Sequence, residues 1–177
     1  MASDEALYER LVEGDLDAFD VLYKRYERPL FGFLLGQLGG DRAEAEEVFH
    51  ESFLAILRER EQGREIRSFR AWIYRVARNV CLNRLRGRRR AARAMETEAR
   101  TPPAAADEPE RALMRQEKAA ALRGAVARLP EPLGELYALR AGGMSYEELS
   151  EVLDVPLGTV KSRMSAMLSC LRQEMKQ

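Results

Sequence analysis

Apolar residues recur at helical spacing along most of this chain, and a segment near the C-terminus shows the pattern most clearly. One stripe, at positions i, i+4, i+7, i+8 and i+11, consists of Val160, Met164, Met167, Leu168 and Leu171. It predicts the buried face of a helix. A shorter helix is predicted upstream, because Ser145 and Glu148 have the spacing of a capping box. Its inward residues are Leu149, Val152 and Leu153. Because Asp154-Val155-Pro156 breaks the run, the segment predicts a helix-turn-helix.

The second helix of this motif presents polar residues on its outer side near its start. They are Thr159, Lys161, Ser162 and Arg163. In helix-turn-helix proteins this part of the second helix contacts base edges and phosphates in the major groove. An ordinary helical hairpin with solvated polar residues is the alternative interpretation.

The N-terminal third of the chain predicts three helices. The first runs from Ser3 to Val12, with Leu7, Leu11 and Val12 facing inward. Asp15 caps the second helix, which Pro29 should kink or split and Gly39-Gly40 should end. Its inward residues are Phe19, Leu22, Tyr23, Tyr26, Leu30, Phe33 and Leu34. Asp41 caps the third helix, which Gln62-Gly63 ends.

The third helix has an apolar face and an acidic one. The apolar face consists of Ala45, Val48, Phe49, Ser52, Phe53 and Ile56, and the acids largely off it are Glu44, Glu46, Glu47 and Glu51. An acidic helical face is often only solvated. It also suits docking onto a basic partner helix, which electrostatic complementarity would favour in rate and register.

A fourth helix, capped by Ser68, combines a core stripe with a basic face. The stripe consists of Phe69, Trp72, Ile73, Val76, Ala77 and Val80, so Trp72 is predicted to belong to the core. Another face, at i, i+3, i+4, i+8 and i+11, carries Arg75, Arg78, Asn79, Asn83 and Arg86. Guanidinium groups neutralise phosphates and amides can bond base edges, so this face predicts nucleic-acid binding. For Arg84 to Arg93 the alternative is a solvated tail that complements the helix dipole.

Residues after the fourth helix predict a linker and a second helical domain. Thr101 to Glu110 contains three prolines and no apolar face, which is typical of an extended, mobile segment. Two further helices are predicted to end at Pro130 and at Gly142-Gly143. The sequence therefore predicts an all-α fold of two small helical domains, residues 1–92 and 111–177, joined by a flexible linker at 93–110.

Charge is segregated along the chain although the formal net charge is zero. Residues 1–65 carry 8 basic and 16 acidic side chains, whereas residues 66–94 carry 10 arginines and no acid. A block of like charge suits a polyanion or a disordered tail. The acidic first third would repel nucleic acid, which indicates a second, protein partner.

Residue types needed for catalysis or metal binding are scarce. His50 is the single histidine, and Cys81 and Cys170 both fall in helical patterns, which predicts buried reduced thiols. No phosphate loop, nucleophile elbow or membrane-spanning run occurs in the sequence. We therefore expect a cytoplasmic, non-enzymatic protein with no cofactor, no metal and no direct membrane insertion.

Four segments in this order resemble the extracytoplasmic-function sigma factors of bacterial RNA polymerase. They are Glu44 to Phe53, Phe69 to Asn79, Leu129-Pro-Glu with Ser145 to Leu149, and Gly158 to Arg163. The resemblance covers nearly the whole chain apart from the linker. It departs from the family pattern at Gly134, inside a predicted helix, and after Arg163, where Met164-Ser-Ala-Met-Leu168 replaces further basic residues.

The resemblance implies a promoter-specific initiation factor that binds core RNA polymerase and promoter DNA. Docking on the polymerase clamp would fall to Glu44, Glu47, Phe49 and Glu51. Recognition and melting of the minus-ten element would fall to the loop from about Glu61 to Ser68 and to Arg67, Arg70, Arg75, Arg78, Asn79, Asn83 and Arg86. Recognition of the minus-thirty-five element would fall to Ser145, Thr159, Lys161, Ser162 and Arg163. Many relatives are held inactive by an anti-sigma factor, which the same docking surfaces would serve.

Two other functional classes remain open from the residues alone. One is a stand-alone helix-turn-helix regulator that binds a palindromic operator as a dimer without polymerase. The other is a helical RNA-binding or scaffold protein that uses only the arginine block. Because the C-terminal section is net acidic, we expect the free protein to bind promoters weakly and with strong salt dependence.

Overall fold

A computed structural model describes residues 2–62, 66–94 and 121–175. Within these ranges all regular elements are α-helices, which confirms the predicted all-α class. Contacts divide the chain into two compact units, of which the first holds four helices. These are α1 (Asp4–Val12), α2 (Leu16–Gln37), α3 (Arg42–Gln62) and α4 (Phe69–Ala94). The second unit holds α5 (residues 121–127), α6 (Glu131–Ala141), most of α7 (Tyr146–Leu153) and α8 (Leu157–Glu174).

Side-chain caps begin each helix of the first unit. The cap residues are Ser3 and the three predicted ones, Asp15, Asp41 and Ser68, and each accepts a hydrogen bond from a backbone amide of the first turn at 3.0 to 3.2 Å. These bonds satisfy amides that have no partner inside the helix. The three predicted caps are therefore confirmed, whereas Ser3, predicted as the first residue of its helix, caps it instead.

Helix α2 continues through Pro29, so of the two predicted effects, a kink or a split, the split does not occur. A proline inside a helix removes one hydrogen bond and crowds the preceding turn. The buried residues on both sides, Tyr26 and Leu30, keep the helix docked and offset that loss. Gly39 and Gly40 then end the helix as predicted, with φ of 65° and 86° that side chains rarely tolerate.

Most predicted inward positions of the first unit are buried, and the exceptions lie at the margins of the stripes. The whole predicted apolar face of α3 is buried. On α4, Val76 and Val80 are only half-buried, as are Phe19 and Tyr23 on α2. Val12, at the last turn of α1, is 40% exposed, so its predicted inward position is wrong.

An aromatic cluster joins α1, α2 and α4 in the first unit. Phe69 is fully buried, and its ring centroid lies 5.5 to 5.9 Å from those of Tyr8, Tyr26 and Trp72. Trp72 is only 6% exposed. Its predicted place in the core is confirmed, and it is not available as a platform for stacking bases.

The second unit contains the predicted helix-turn-helix. Ser145 and Glu148 form the capping box, with the Ser145 hydroxyl accepting from the Glu148 amide at 3.1 Å and the Glu148 carboxylate accepting from the Ser145 amide at 2.8 Å. Asp154 adopts a left-handed conformation, φ 54°, and ends α7 at the predicted break. The α8 stripe is buried except for Leu168, which is 42% exposed. Leu168 is thus wrongly predicted, because it lies at the margin of the stripe.

The two cysteines differ in burial. Cys81 is buried as predicted, whereas Cys170 is only half-buried, and neither forms a disulfide. Within residues 2–62, 66–94 and 121–175, the His, Cys, Asp and Glu side chains form no cluster that could ligate a metal ion. None of the helices in these ranges has an apolar stretch of the length that a bilayer crossing requires. Helix α4 extends to Ala94, and the rest of the predicted linker lies outside the described residues.

Candidate nucleic-acid and protein interfaces

The outer face of α4 carries the predicted amide and arginine side chains. Asn79, Asn83 and Arg86 are exposed, while Arg75 and Arg78 are half-buried along the same face. The face lies beside the core stripe rather than opposite it, because the two sets are separated by only about a third of a helical turn. It can offer guanidinium groups to phosphates and two amides to base edges.

A carboxylate of α1 accepts a hydrogen bond from the first backbone amide of α4. Glu5 Oε1 accepts a hydrogen bond from the Phe69 amide at 3.1 Å, while the Ser68 hydroxyl accepts from the Ala71 amide at 3.2 Å. Glu5 and Phe69 are 64 residues apart in sequence, so no local pattern pairs them. Helix α1 therefore fixes the end of α4 that precedes the nucleic-acid face.

A second contact of α1 buries a tyrosine hydroxyl. Asp4 accepts a hydrogen bond from the Tyr26 hydroxyl and forms an ion pair with Arg25. Burial raises the pKa of Tyr26, the bond to Asp4 raises it further, and the positive charge of Arg70 opposes both. The half-buried Arg70 thus acts on the hydroxyls of Tyr26 and Tyr74, whose pKa burial also raises.

The loop before α4 is described only in part. Arg67 is exposed immediately before the helix. Residues 63–65 lie outside the described residues, and so does the side chain of Glu61.

Two arginines of α4 bind the acids of α3. Arg84 donates from Nη1 to Glu47 at 2.6 Å and from Nη2 to Glu51 at 3.1 Å. These bonds, Glu47 first, raise the pKa of Arg84. Arg88 forms an ion pair with Glu44, whose side chain is only 10% exposed. The pairing order runs in opposite directions along the two helices, as expected for antiparallel neighbours.

This arginine–glutamate seam was not predicted, although the sequence held a signal for it. Glu47 and Glu51 are four residues apart, and so are Arg84 and Arg88. Residues four apart lie on the same side of a helix, so complementary pairs on neighbouring helices can align. Only the packing of α3 against α4 selects these partners among the many arginines of the chain.

The predicted docking residues differ in accessibility. Glu47 and Glu51 remain 67% and 45% exposed, whereas the Phe49 ring is buried between Tyr23 and Phe53, with centroids 5.2 and 4.8 Å away. A cavity of about 440 Å³ opens beside this ring. Its lining residues are Tyr23, Glu27, Arg28, Phe31, Arg42, Glu46, Phe49 and His50. A partner side chain that enters this cavity would meet Phe49 in its lining.

The start of α8 presents the predicted polar residues in the second unit. Lys161 and Ser162 are exposed, Thr159 and Arg163 are half-buried, and the Ser162 hydroxyl donates to the Thr159 carbonyl at 3.0 Å. The first turn contains no acidic residue and its N-cap is Pro156, without a side-chain cap. Free amides at a helix start favour a phosphate.

Arg140, which was not predicted as a functional residue, stabilises the turn before α7. Arg140 donates to the Met144 carbonyl at 2.5 Å, and its guanidinium lies 5.6 Å from the ring centroid of Tyr146. These contacts hold the turn next to Ser145, the first residue of the predicted upstream-element set. The signal is an arginine in the last turn of α6, where a cation can bond free carbonyls.

Comparison with known families places two matches on the two helical units. Residues 22–91 match the model of sigma-70 region 2, and residues 119–171 match that of sigma-70 region 4. The first range covers α4 as far as residue 91, with its outer face, and the second covers the helix-turn-helix as far as Leu171.

Curated relatives match nearly the whole chain. The RNA polymerase sigma-H factor of Pseudomonas aeruginosa is 35% identical over 169 residues, which are 90% of this chain and 87% of that protein. The ECF RNA polymerase sigma-E factor of Haemophilus influenzae is 34% identical over 170 residues, or 91% of this chain and 89% of that protein.

Solved structures share the fold. CnrH in complex with the cytosolic domain of CnrY has a TM-score of 0.67 at 21% identity and covers 98% of this chain and 97% of its own. The sigma factor RpoE of Bartonella quintana, in complex with the anti-sigma factor NepR, has a TM-score of 0.70 at 21% identity and covers 89% and 96%. At this identity the likeness concerns architecture alone.

Proposed function

The chain belongs to the extracytoplasmic-function sigma factors of bacterial RNA polymerase, and we propose from this premise how its residues divide the work of promoter recognition. As a sigma factor it binds core polymerase and directs initiation at promoters. One unit contacts the minus-ten element through α4, and the other contacts the minus-thirty-five element through α8. The observation that carries this division is the pair of outward polar faces, one on each unit.

The upstream contact is assigned to the start of α8. Lys161 and Ser162 are exposed and reach base edges, while Thr159 and Arg163 contact phosphates beside them. Ser145 is engaged by the capping box through its oxygen, and its hydroxyl hydrogen can still bond a phosphate. A side chain that reads bases should alter sequence preference, whereas one that contacts phosphate should weaken all sites alike.

The downstream contact is assigned to the outer face of α4. Extruding a base costs roughly a few kcal/mol, and stacking or pocket contacts return about 1–3 kcal/mol per base. This unit can therefore trap a base that opens transiently, but it does not melt a duplex alone. Asn79 and Asn83 bond the exposed base edges, and Arg75, Arg78 and Arg86 bind the backbone beside them. Arg67 and Arg70 contact the strand at the start of the helix.

Docking on polymerase is assigned to the exposed acids of α3 and the neighbouring cavity. Glu47 and Glu51 suit a basic partner surface, and the cavity beside Phe49 suits one inserted side chain. Glu44 and Phe49 support this surface from below, because both are buried. An anti-sigma factor that covers the same acids would block docking. We place this work in the cytoplasm, without catalysis by the chain itself.

Reconstituted transcription tests the proposal. Core polymerase, the pure protein and a promoter library are incubated together, and the 5′ ends of the transcripts are sequenced. We expect new transcription start sites downstream of a shared pair of promoter elements. Asn79→Ala with Asn83→Ala should change the preferred downstream element, while Lys161→Ala with Ser162→Ala should change the upstream one. Footprints without new starts would instead support a stand-alone regulator, and equal loss in both double variants would contradict the division.

A further inference from the structure

We propose that the arginines near the end of α4 have two separate tasks: Arg84 and Arg88 position the helix on α3, and Arg86 and Arg90 face nucleic acid. This inference deepens the proposed function and rests on it. It assigns Arg90 to the nucleic-acid face and removes Arg84 and Arg88 from it. The arginine block would then act as two interleaved pairs rather than one basic tail.

Helix geometry supports the division. Ala77, Cys81, Arg84 and Arg88 follow one another at i, i+4, i+7 and i+11, so both arginines continue the line of the two buried residues. Arg86 and Arg90 are exposed and lie eleven and fifteen positions after Arg75. At about 100° per residue they fall with Asn79 and Asn83 on the opposite side.

Contacts show what Arg84 and Arg88, the inner pair, do. Arg84 is 30% exposed and bonds two carboxylates of α3 at 2.6 and 3.1 Å, a fork that a planar guanidinium suits better than an ammonium group. Arg88 pairs with the carboxylate of Glu44, which is 10% exposed. A buried carboxylate needs such a partner, since an unpaired charge is poorly tolerated away from water.

The inner pair therefore continues the contact between α4 and α3 beyond the last buried apolar residue of α4. An arginine that is already bonded to two carboxylates contributes little net attraction for phosphate, because releasing it would leave those acids without a partner. An exposed arginine on the outer face neutralises a phosphate at no such cost. The separation should hold in the free protein, which lets polymerase be left out of the test.

The experiment compares two double variants of the full chain with the same change in charge, Arg84→Ala with Arg88→Ala and Arg86→Ala with Arg90→Ala. Elution from immobilised single-stranded DNA in a salt gradient measures polyanion binding. Urea unfolding followed by Trp72 fluorescence measures the stability of the first unit, because Trp72 is the single tryptophan. We expect the variant of the outer pair, Arg86 and Arg90, to elute at lower salt than the variant of the inner pair. It should keep the wild-type unfolding midpoint.

For the inner pair we expect an unfolding equilibrium constant at least roughly tenfold higher than that of the wild type, mainly from the buried Glu44 carboxylate. Arg84→Lys with Arg88→Lys keeps the charge and serves if the alanine variant does not fold. It should elute with the wild type but unfold at lower urea. Equal elution shifts for both alanine pairs, or a wild-type unfolding midpoint for the inner pair or its lysine version, would overturn the proposal. Neither result depends on transcription, so failure here leaves the sigma-factor assignment intact.

Discussion

Replacing Glu5 should loosen the start of α4, the helix that carries the proposed downstream contact. The Glu5 carboxylate accepts from the Phe69 amide at 3.1 Å, and Phe69 is fully buried. Water cannot replace the lost acceptor at such a site without opening the core. The substitution therefore acts on an amide that no other part of the first turn satisfies, since the Ser68 hydroxyl is already bonded to the Ala71 amide.

Two substitutions separate the acceptor from the charge. Leaving the buried amide without a partner costs about 1–3 kcal/mol, and losing the charge near the starts of α1 and α4 costs roughly 0.3–1 kcal/mol. Glu5→Ala loses both and should lower the free energy of unfolding by about 1.3–4 kcal/mol. Glu5→Gln keeps a carbonyl oxygen and should lower it by only about 0.3–1 kcal/mol.

Trp72 fluorescence during urea unfolding measures the effect in the first unit alone. Glu9→Ala is the matched control, because Glu9 is an exposed acid on the same helix and its loss should change stability by no more than about 0.5 kcal/mol. Transcription by the Glu5→Ala holoenzyme should fall more at promoters that melt poorly. The reasoning is refuted if Glu5→Ala and Glu5→Gln are equally stable, or if both match the control.

Three further predictions concern single residues. Gly134→Ala should stabilise the second unit by up to about 1 kcal/mol in thermal unfolding followed by circular dichroism, because Gly134 lies inside α6 and a Cβ there meets no atom within 4 Å; a lower melting temperature would contradict this. Ser145→Ala should destabilise the same unit by about 1 kcal/mol through loss of the bond to the Glu148 amide, and an unchanged melting temperature would show that the cap is dispensable. Tyr26 has a raised pKa in the folded state. Its contribution to the free energy of unfolding is therefore fully present below its unfolded pKa of about 10 and is lost as the pH rises further. The stability advantage of the wild type over Tyr26→Phe should therefore shrink above pH 10 in urea titrations, and a constant difference would show that the pKa of Tyr26 is not raised in the folded state.

Local chemistry made most helix boundaries predictable from the sequence. Ser3, Asp15, Asp41, Ser68 and Ser145 each lie next to the amides that they cap, so a few residues contain the whole signal. The buried stripes follow equally from a fixed period of 3.6 residues. The family resemblance, which the comparisons confirm, likewise depends on short segments and their order.

Tertiary structure decided which distant groups meet and how deeply marginal residues are buried. Glu5 reaches Phe69 across 64 residues, and Arg84 reaches Glu47 across 37, because helix packing brings together faces that are far apart in the sequence. Leu168 is exposed although its spacing fits the stripe, since the width of the covered face depends on the neighbouring helices. Periodicity identifies the inner side of each helix, but only packing determines which charge on the next helix that side will meet.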